Sequence, residues 1–399
     1  MSVPGLEAAL ASGRIAVCVG PGGVGKTTLA ASLALAAARL GRRAVVVTID
    51  PARRLADALG VGELGNEPRA IPREQLRRLG VPAAGELSAM MLDMKRTFDE
   101  LVERFAPDAA TRERILRNPI YQHVSDALAG SAEYAAMEKL YELSERDAFD
   151  LLVLDTPPSQ HALDFLESPQ RLLEFLDSRL VQLLVHPAFA AGRVGFRLFQ
   201  RPAQRVLRLV ERVSGVAFLE DISEFLLAFE GMAEGFRERA RRVRELLLGP
   251  EAAFVLAATP ARESVAHALA FLEHLATTRV PLAAIVVNRV RIWPGSGSVP
   301  ARVPLDGDVE GARARLADAF AREGGPDFPA REAARAALDA LAGYASLVQR
   351  DAECIAPLEA RAAREGCALR RVPEFARDVH DLDALAGVAD HLFAREPQA

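Results

Sequence analysis

Residues 14–28 constrain this chain more than any other stretch. Arg14 to Gly20 (RIAVCVG) is a short β-branched run that reads as a buried strand. It leads into Gly20-Pro21-Gly22-Gly23-Val24-Gly25-Lys26-Thr27-Thr28, which satisfies the spacing G-x-x-x-x-G-K-[ST]. Leu29 to Leu40 follows, rich in Ala and Leu, and stops before Gly41 as a helix with a C-terminal glycine does. Strand, glycine loop and helix in this order form a cradle for phosphate. Glycines let successive backbone N–H groups converge on phosphate oxygens with no Cβ in the way. The helix N-terminus adds its partial positive charge. Lys26 is then expected to reach the β- and γ-phosphates, and the Thr27 hydroxyl to ligate Mg²⁺. The expected nucleotide-binding residues here are Gly20, Gly22, Gly23, Val24, Gly25, Lys26, Thr27 and Thr28.

Two carboxylates at strand ends add to this. Ala44 to Ile49 (AVVVTI) ends at Asp50, and Leu151 to Leu154 ends at Asp155-Thr156-Pro157-Pro158. A carboxylate beside a phosphate loop orients an attacking water, and Asp50 before Pro51 equally suits a helix N-cap. Four apolar residues followed by Asp155 are the pattern that puts a carboxylate near Mg²⁺. Further strand-like runs occur at Ser88–Leu92, Ala253–Ala258, Ala283–Val287 and Ala368–Val372, with helical patterns between them. Pro107 and Pro119 divide the helical stretch from Lys95 to Arg146. Strands alternating with helices predict an α/β fold: a mostly parallel sheet with helices on both faces and the site at the strand C-termini.

At 399 residues the chain is long for one minimal core, so it predicts two or three units or one large α/β domain with insertions. The reading adopted is one domain over 1–399: a nucleotide-binding core from 1–167 and 249–399, and a helical insertion over 168–248. A net charge of -5 excludes a protein that coats nucleic acid with its whole surface. Cys18, Cys354 and Cys367 are too few and too scattered for a disulfide framework, which suits a reducing cytoplasm. No apolar run is long enough to span a bilayer, and the first ten residues do not read as a signal peptide. The expected location is therefore cytoplasmic, with peripheral attachment to the inner membrane as an alternative.

Together these motifs resemble the ArsA/Get family, within the deviant phosphate-loop ATPases that also hold MinD and ParA. The likeness runs from Gly20 to the C-terminal stretch. DPARRLADAL at 50–59 looks like the family's first switch, and DTPPSQHALDFL at 155–166 like its second, with His161 inside it. Asn288 in IVVNRV fits the adenine-contacting Asn, and VPEFARDVHDL at 372–382, with Pro373, resembles the segment that closes over the base. The resemblance implies a SIMIBI-type phosphate-loop fold with an inserted helical subdomain, and an ATPase using ATP and Mg²⁺. It implies that Lys26 and the loop amides hold phosphates, Thr27 and Asp155 organise the metal, and Asp50 positions the water. It also implies a dimer, with itself or with a paralogue, whose opening and closing binds and releases a client.

The departures narrow this. Where the family has a second lysine just after the loop's first glycine, this chain has Pro21. The Cys-x-x-Cys pair of the tail-anchor branch is absent, and no cysteine cluster suited to arsenite is present. Residues 178–210 hold no Asp or Glu but carry Arg179, Arg193, Arg197, Arg201, Arg205 and Arg208; Arg212 follows. The last six are spaced close to one helical stripe, interrupted at Pro202. Such a stripe suits anionic lipid, a partner helix or a solvated face over a core contact. The function read here is an Mg²⁺-dependent ATPase coupled to a hydrophobic or membrane-associated client. A slow nucleotide switch and the ATPase subunit of an arsenite or antimonite pump are the alternatives.

Overall fold

The computed structural model describes residues 5–49, 54–118, 121–122, 131–156, 174, 235, 237–278, 280–293, 309–324 and 327–393. Among them eight strands form one sheet: β1 (Ile15–Val19), β2 (Arg43–Thr48), β3 (Arg69–Ala70), β4 (Glu86–Met91), β5 (Leu151–Asp155), β6 (Ala252–Ala258), β7 (Leu282–Val290) and β8 (Ala368–Pro373). Their order is β3-β4-β2-β5-β1-β6-β7-β8. Neighbours are parallel throughout except β3, a two-residue edge antiparallel to β4. The sequence-derived strand at 88–92 is therefore β4, beginning two residues earlier. β3 was not foreseen, since two exposed residues carry no periodicity.

The apolar runs of β1, β2, β5 and β6 are continuous because both faces of the sheet are covered. On one face Ala16, Cys18, Ala44, Val46 and Val255 pack with α2 (Lys26–Arg39) and α11 (Leu382–Phe393). On the other, Ile15, Val17, Val45, Val47 and Leu152 pack with α7 (Ser131–Glu145), α8 (Arg262–Thr278) and the helical residues 237–248. The small residues of α2, from Ala30 to Ala38, are almost all buried and let that helix lie close to the sheet. This is the α/β architecture expected, with helices on both faces.

Around this layer lie α1 (Leu6–Ser12), α3 (Arg54–Ala58), α4 (Arg73–Arg78), α5 (Met94–Phe105), α6 (Ala109–Arg117), α9 (Val309–Gly324) and α10 (Ala330–Glu365). Pro107 lies between α5 and α6 as expected; Asp108 then caps α6 by accepting the N–H of Thr111 at 2.7 Å. The proposed insertion, 168–248, is described only at 174, 235 and 237–248, so the arginine stripe of 178–212 lies outside the described residues. Among the described residues no helix is long and apolar enough to cross a membrane.

Candidate nucleotide site

The loop between β1 and α2 sits at the C-terminal end of the sheet, between the central strands β5 and β6. Gly20, Gly23 and Gly25 have φ of 147°, 77° and 91°, a backbone that L-residues rarely adopt. A Cβ on Gly20 would lie 2.3 Å from the Ala257 carbonyl oxygen, and one on Gly25 would lie 2.4 Å from Asn288 Nδ2. These glycines are therefore required by shape. Lys26 is 6% exposed, and its ammonium donates to the carbonyl oxygens of Gly20 (3.0 Å) and Pro21 (2.9 Å). This holds the cation against the loop it is expected to complete.

Asp155, at the end of β5, is buried and accepts hydrogen bonds on Oδ2 from the hydroxyls of Thr27 (2.7 Å) and Thr48 (2.8 Å). Register brings them together: Asp155 pairs with Cys18 on one side and Thr48 on the other. Thr156 then ties the chain back to β1, its hydroxyl donating to the Cys18 carbonyl at 2.7 Å. Burial, with the nearby Asp155 carboxylate, pushes the Cys18 thiol well above its ordinary range against the opposing pull of Lys26. Cys18 is thus an uncharged core residue. A hydroxyl and a carboxylate side by side form a hard-oxygen donor set, which fits Mg²⁺.

Asn288 reaches the loop from β7, its Nδ2 donating to the Val24 carbonyl at 2.9 Å. A cleft of ≈ 760 Å³ opens beside it, lined by Gly23, Gly25, Lys26, Thr27, Thr28, Asn288 and Pro373, with the segment from Glu374 to His380 forming a wall. A smaller cavity of ≈ 410 Å³ lies against Gly20, Pro21, Gly22, Gly23 and Val24. The sequence-derived nucleotide and metal residues therefore converge on one loop. Asp50 and His161 lie outside the described residues.

The model of the anion-transporting ATPase family matches residues 13–296, most of the chain and the whole of this loop. The chain belongs to that family. A putative arsenical pump-driving ATPase of Halobacterium salinarum is 33% identical over 165 residues, covering 40% of this chain and 24% of that protein. An ATPase named get3 from Schizosaccharomyces japonicus is 31% identical over 153 residues, 38% of this chain and 42% of that one. An uncharacterized Streptomyces coelicolor protein is 32% identical over 181 residues, 45% and 42% respectively. The matched stretches thus span less than half the length of each of these relatives.

Within this member of the anion-transporting ATPase family, the structure adds contacts at the site that the motifs do not specify. Thr48 donates to Asp155, but a threonine late in a valine run gives no warning of it. Arg54 and Arg377 line the cleft, adding positive charge beyond Lys26. Arg289 lines both the cleft and the smaller cavity. Its only sequence signal was adjacency to Asn288. Among the described residues no cluster of three or more His, Cys, Asp and Glu suited to a metal ion is found.

Proposed function

We propose that the chain is a Mg²⁺-dependent ATPase that converts ATP to ADP and phosphate, and that nucleotide state opens and closes a dimer around a hydrophobic or membrane-associated client. The observation that carries the hydrolytic part is the Thr27 hydroxyl 2.7 Å from the buried Asp155 carboxylate, beside a left-handed glycine loop that holds Lys26. The loop amides and Lys26 bind the phosphate chain, and Lys26 exchanges carbonyl contacts for phosphate oxygens. Thr27 and Asp155 would hold Mg²⁺, which neutralises phosphate charge when bound. Asp50 orients the attacking water, Asn288 holds the loop and faces the base, and the segment that begins at Pro373 closes over it. The client-coupled part rests on the resemblance and on the arginine spacing of 178–212.

Purified protein is expected to turn over ATP only with Mg²⁺. Lys26→Ala should lower turnover by about a hundredfold or more. Asp50→Asn should abolish turnover and spare ATP binding. Unaltered turnover in Asp50→Asn would remove Asp50 from the mechanism, and unaltered turnover in Lys26→Ala would remove the site itself. Antimonite belongs in the same assay. Stimulation by it would favour a metalloid-coupled role, as the Halobacterium relative's name suggests, over a client-coupled one.

A further inference from the structure

We propose that Arg289 supplies positive charge to the nucleotide's phosphate chain, held at the loop by a bulge in β7; this rests on the nucleotide reading above. The β7–β8 pairing shifts register between Val287 and Val290. In that interval Arg289 has φ 59°, the one non-glycine residue with positive φ among the described residues. One side chain closes the bulge and ties it to the loop: Asn288 Oδ1 accepts the N–H of the neighbouring Arg289 at 2.9 Å, and Asn288 Nδ2 donates to the Val24 carbonyl at 2.9 Å. The turn therefore presents residue 289 to the phosphate loop, whatever that residue is.

Glycine would occupy this backbone without strain, and arginine carries strain there. What arginine adds is a guanidinium at a place short of charge. Among the described residues Arg289 is the one Lys or Arg lining the ≈ 410 Å³ cavity against Pro21 and Gly22, which Glu263 also lines. It also lines the ≈ 760 Å³ cleft together with Lys26, Arg54 and Arg377, so the shortage of charge belongs to the smaller cavity. Its side chain is exposed and has no ion pair among the described residues. A planar guanidinium whose donors are not spent on a carboxylate matches phosphate oxygens.

The test uses the full chain and measures the dissociation constant for MgATP by calorimetry, with thermal unfolding alongside. Arg289→Gly should weaken MgATP at least tenfold and raise the unfolding midpoint, because it removes charge and strain together. Relief of strain alone could also move affinity and stability in opposite directions, so the charge is read from the next variant. Arg289→Gln, which keeps the strain and loses the charge, should weaken binding as much. Arg289→Lys, which keeps the charge and loses the planar fork, should fall between the native protein and Arg289→Gln. Native affinity in Arg289→Gln, or a loss in Arg289→Lys equal to that in Arg289→Gln, overturns the proposal. Lys26→Ala separates the two readings. If it binds MgATP like the native protein, the nucleotide site is wrong; if it fails to bind while both neutral Arg289 variants bind normally, only the role of Arg289 is wrong.

Discussion

Gly20 and Gly25 both exclude a side chain, but against different neighbours, and that difference is measurable. A Cβ at Gly20 meets the Ala257 carbonyl of β6, a backbone atom fixed in the sheet. A Cβ at Gly25 meets the Asn288 amide, the end of a side chain that can turn away. Gly20→Ala is therefore expected to lose about 2–4 kcal/mol in denaturant unfolding, and Gly25→Ala less, though its φ of 91° still costs something. In an Asn288→Ala background the cost of Gly25→Ala should shrink by about 1 kcal/mol, because the contacted atom is gone. An additive double mutant would show that the backbone angle alone, and not Asn288, forbids a side chain there. The same neighbours explain what the motif could not say. The spelling G-x-x-x-x-G-K-T fixes the phosphate cradle, whereas the contact between Asn288 and Val24 depends on residues 264 positions apart.

At the scale of elements, α7 carries a buried cation that its sequence hides. Lys139 is fully buried, and its ammonium lies 3.1 Å from Glu142, 3.3 Å from Glu100 of α5 and 3.9 Å from Glu67. Beside it the buried Glu138 pairs with Arg239, whose guanidinium lies 4.6 Å from the Tyr141 ring centroid. Burial pushes the Glu100 carboxyl up, but Lys139 and hydrogen bonds from Arg96 and Asn66 outweigh it and hold the group below its ordinary value. Glu100 thus adds stability above its unfolded pKa of about 4.3, and that stability is lost as pH falls through the lower folded value. Lys139→Met removes the largest of the lowering causes, so the Glu100 carboxyl moves up from its native value. The variant should be less stable than the native protein by about 3 kcal/mol at pH 7, and the gap should narrow as pH falls through the unfolded carboxylate value of about 4.3, where the native protein loses what Glu100 contributes. Urea unfolding at pH 7 and at about pH 4 checks this; a gap that stays constant would mean Glu100 is not governed by Lys139. A lysine between helix-forming residues reads as a solvated face, so nothing in the local pattern reveals this network. The central strands were legible because burial on both faces leaves an unbroken apolar run. β3 and the β7 bulge were not, because pairing partners far along the chain define them. The arginine stripe of 178–212 remains a reading of the sequence.

Across the whole molecule, the end of β7 joins the phosphate loop to the longest described helix. Asn288 holds the Val24 carbonyl, and three residues on the Arg291 N–H donates to the buried Asp351 of α10 at 3.0 Å. The Arg291 guanidinium reaches the same carboxylate at 3.2 Å. The next residue, Ile292, offers its carbonyl to the Tyr344 hydroxyl of α10 at 3.0 Å, and Trp293 then lies 6.3 Å from the Tyr344 ring. Six consecutive residues, 288–293, thus run from the nucleotide loop to a helix of 36 residues, about 54 Å long. Trp293 is the only tryptophan in the chain, so its emission reports on this junction alone. A ligand that draws Lys26 from the Gly20 and Pro21 carbonyls must adjust the loop, and Asn288 passes that adjustment to the strand end. Addition of MgATP is therefore expected to shift or quench Trp293 emission, with Trp293→Phe silent as the control. Asn288→Ala should cut the amplitude at saturating MgATP, since the fastening to Val24 is lost while Arg291, Ile292 and α10 keep theirs. Binding detected by calorimetry with unchanged native emission would mean that the loop closes on phosphate without moving β7, and that α10 is insulated from the nucleotide.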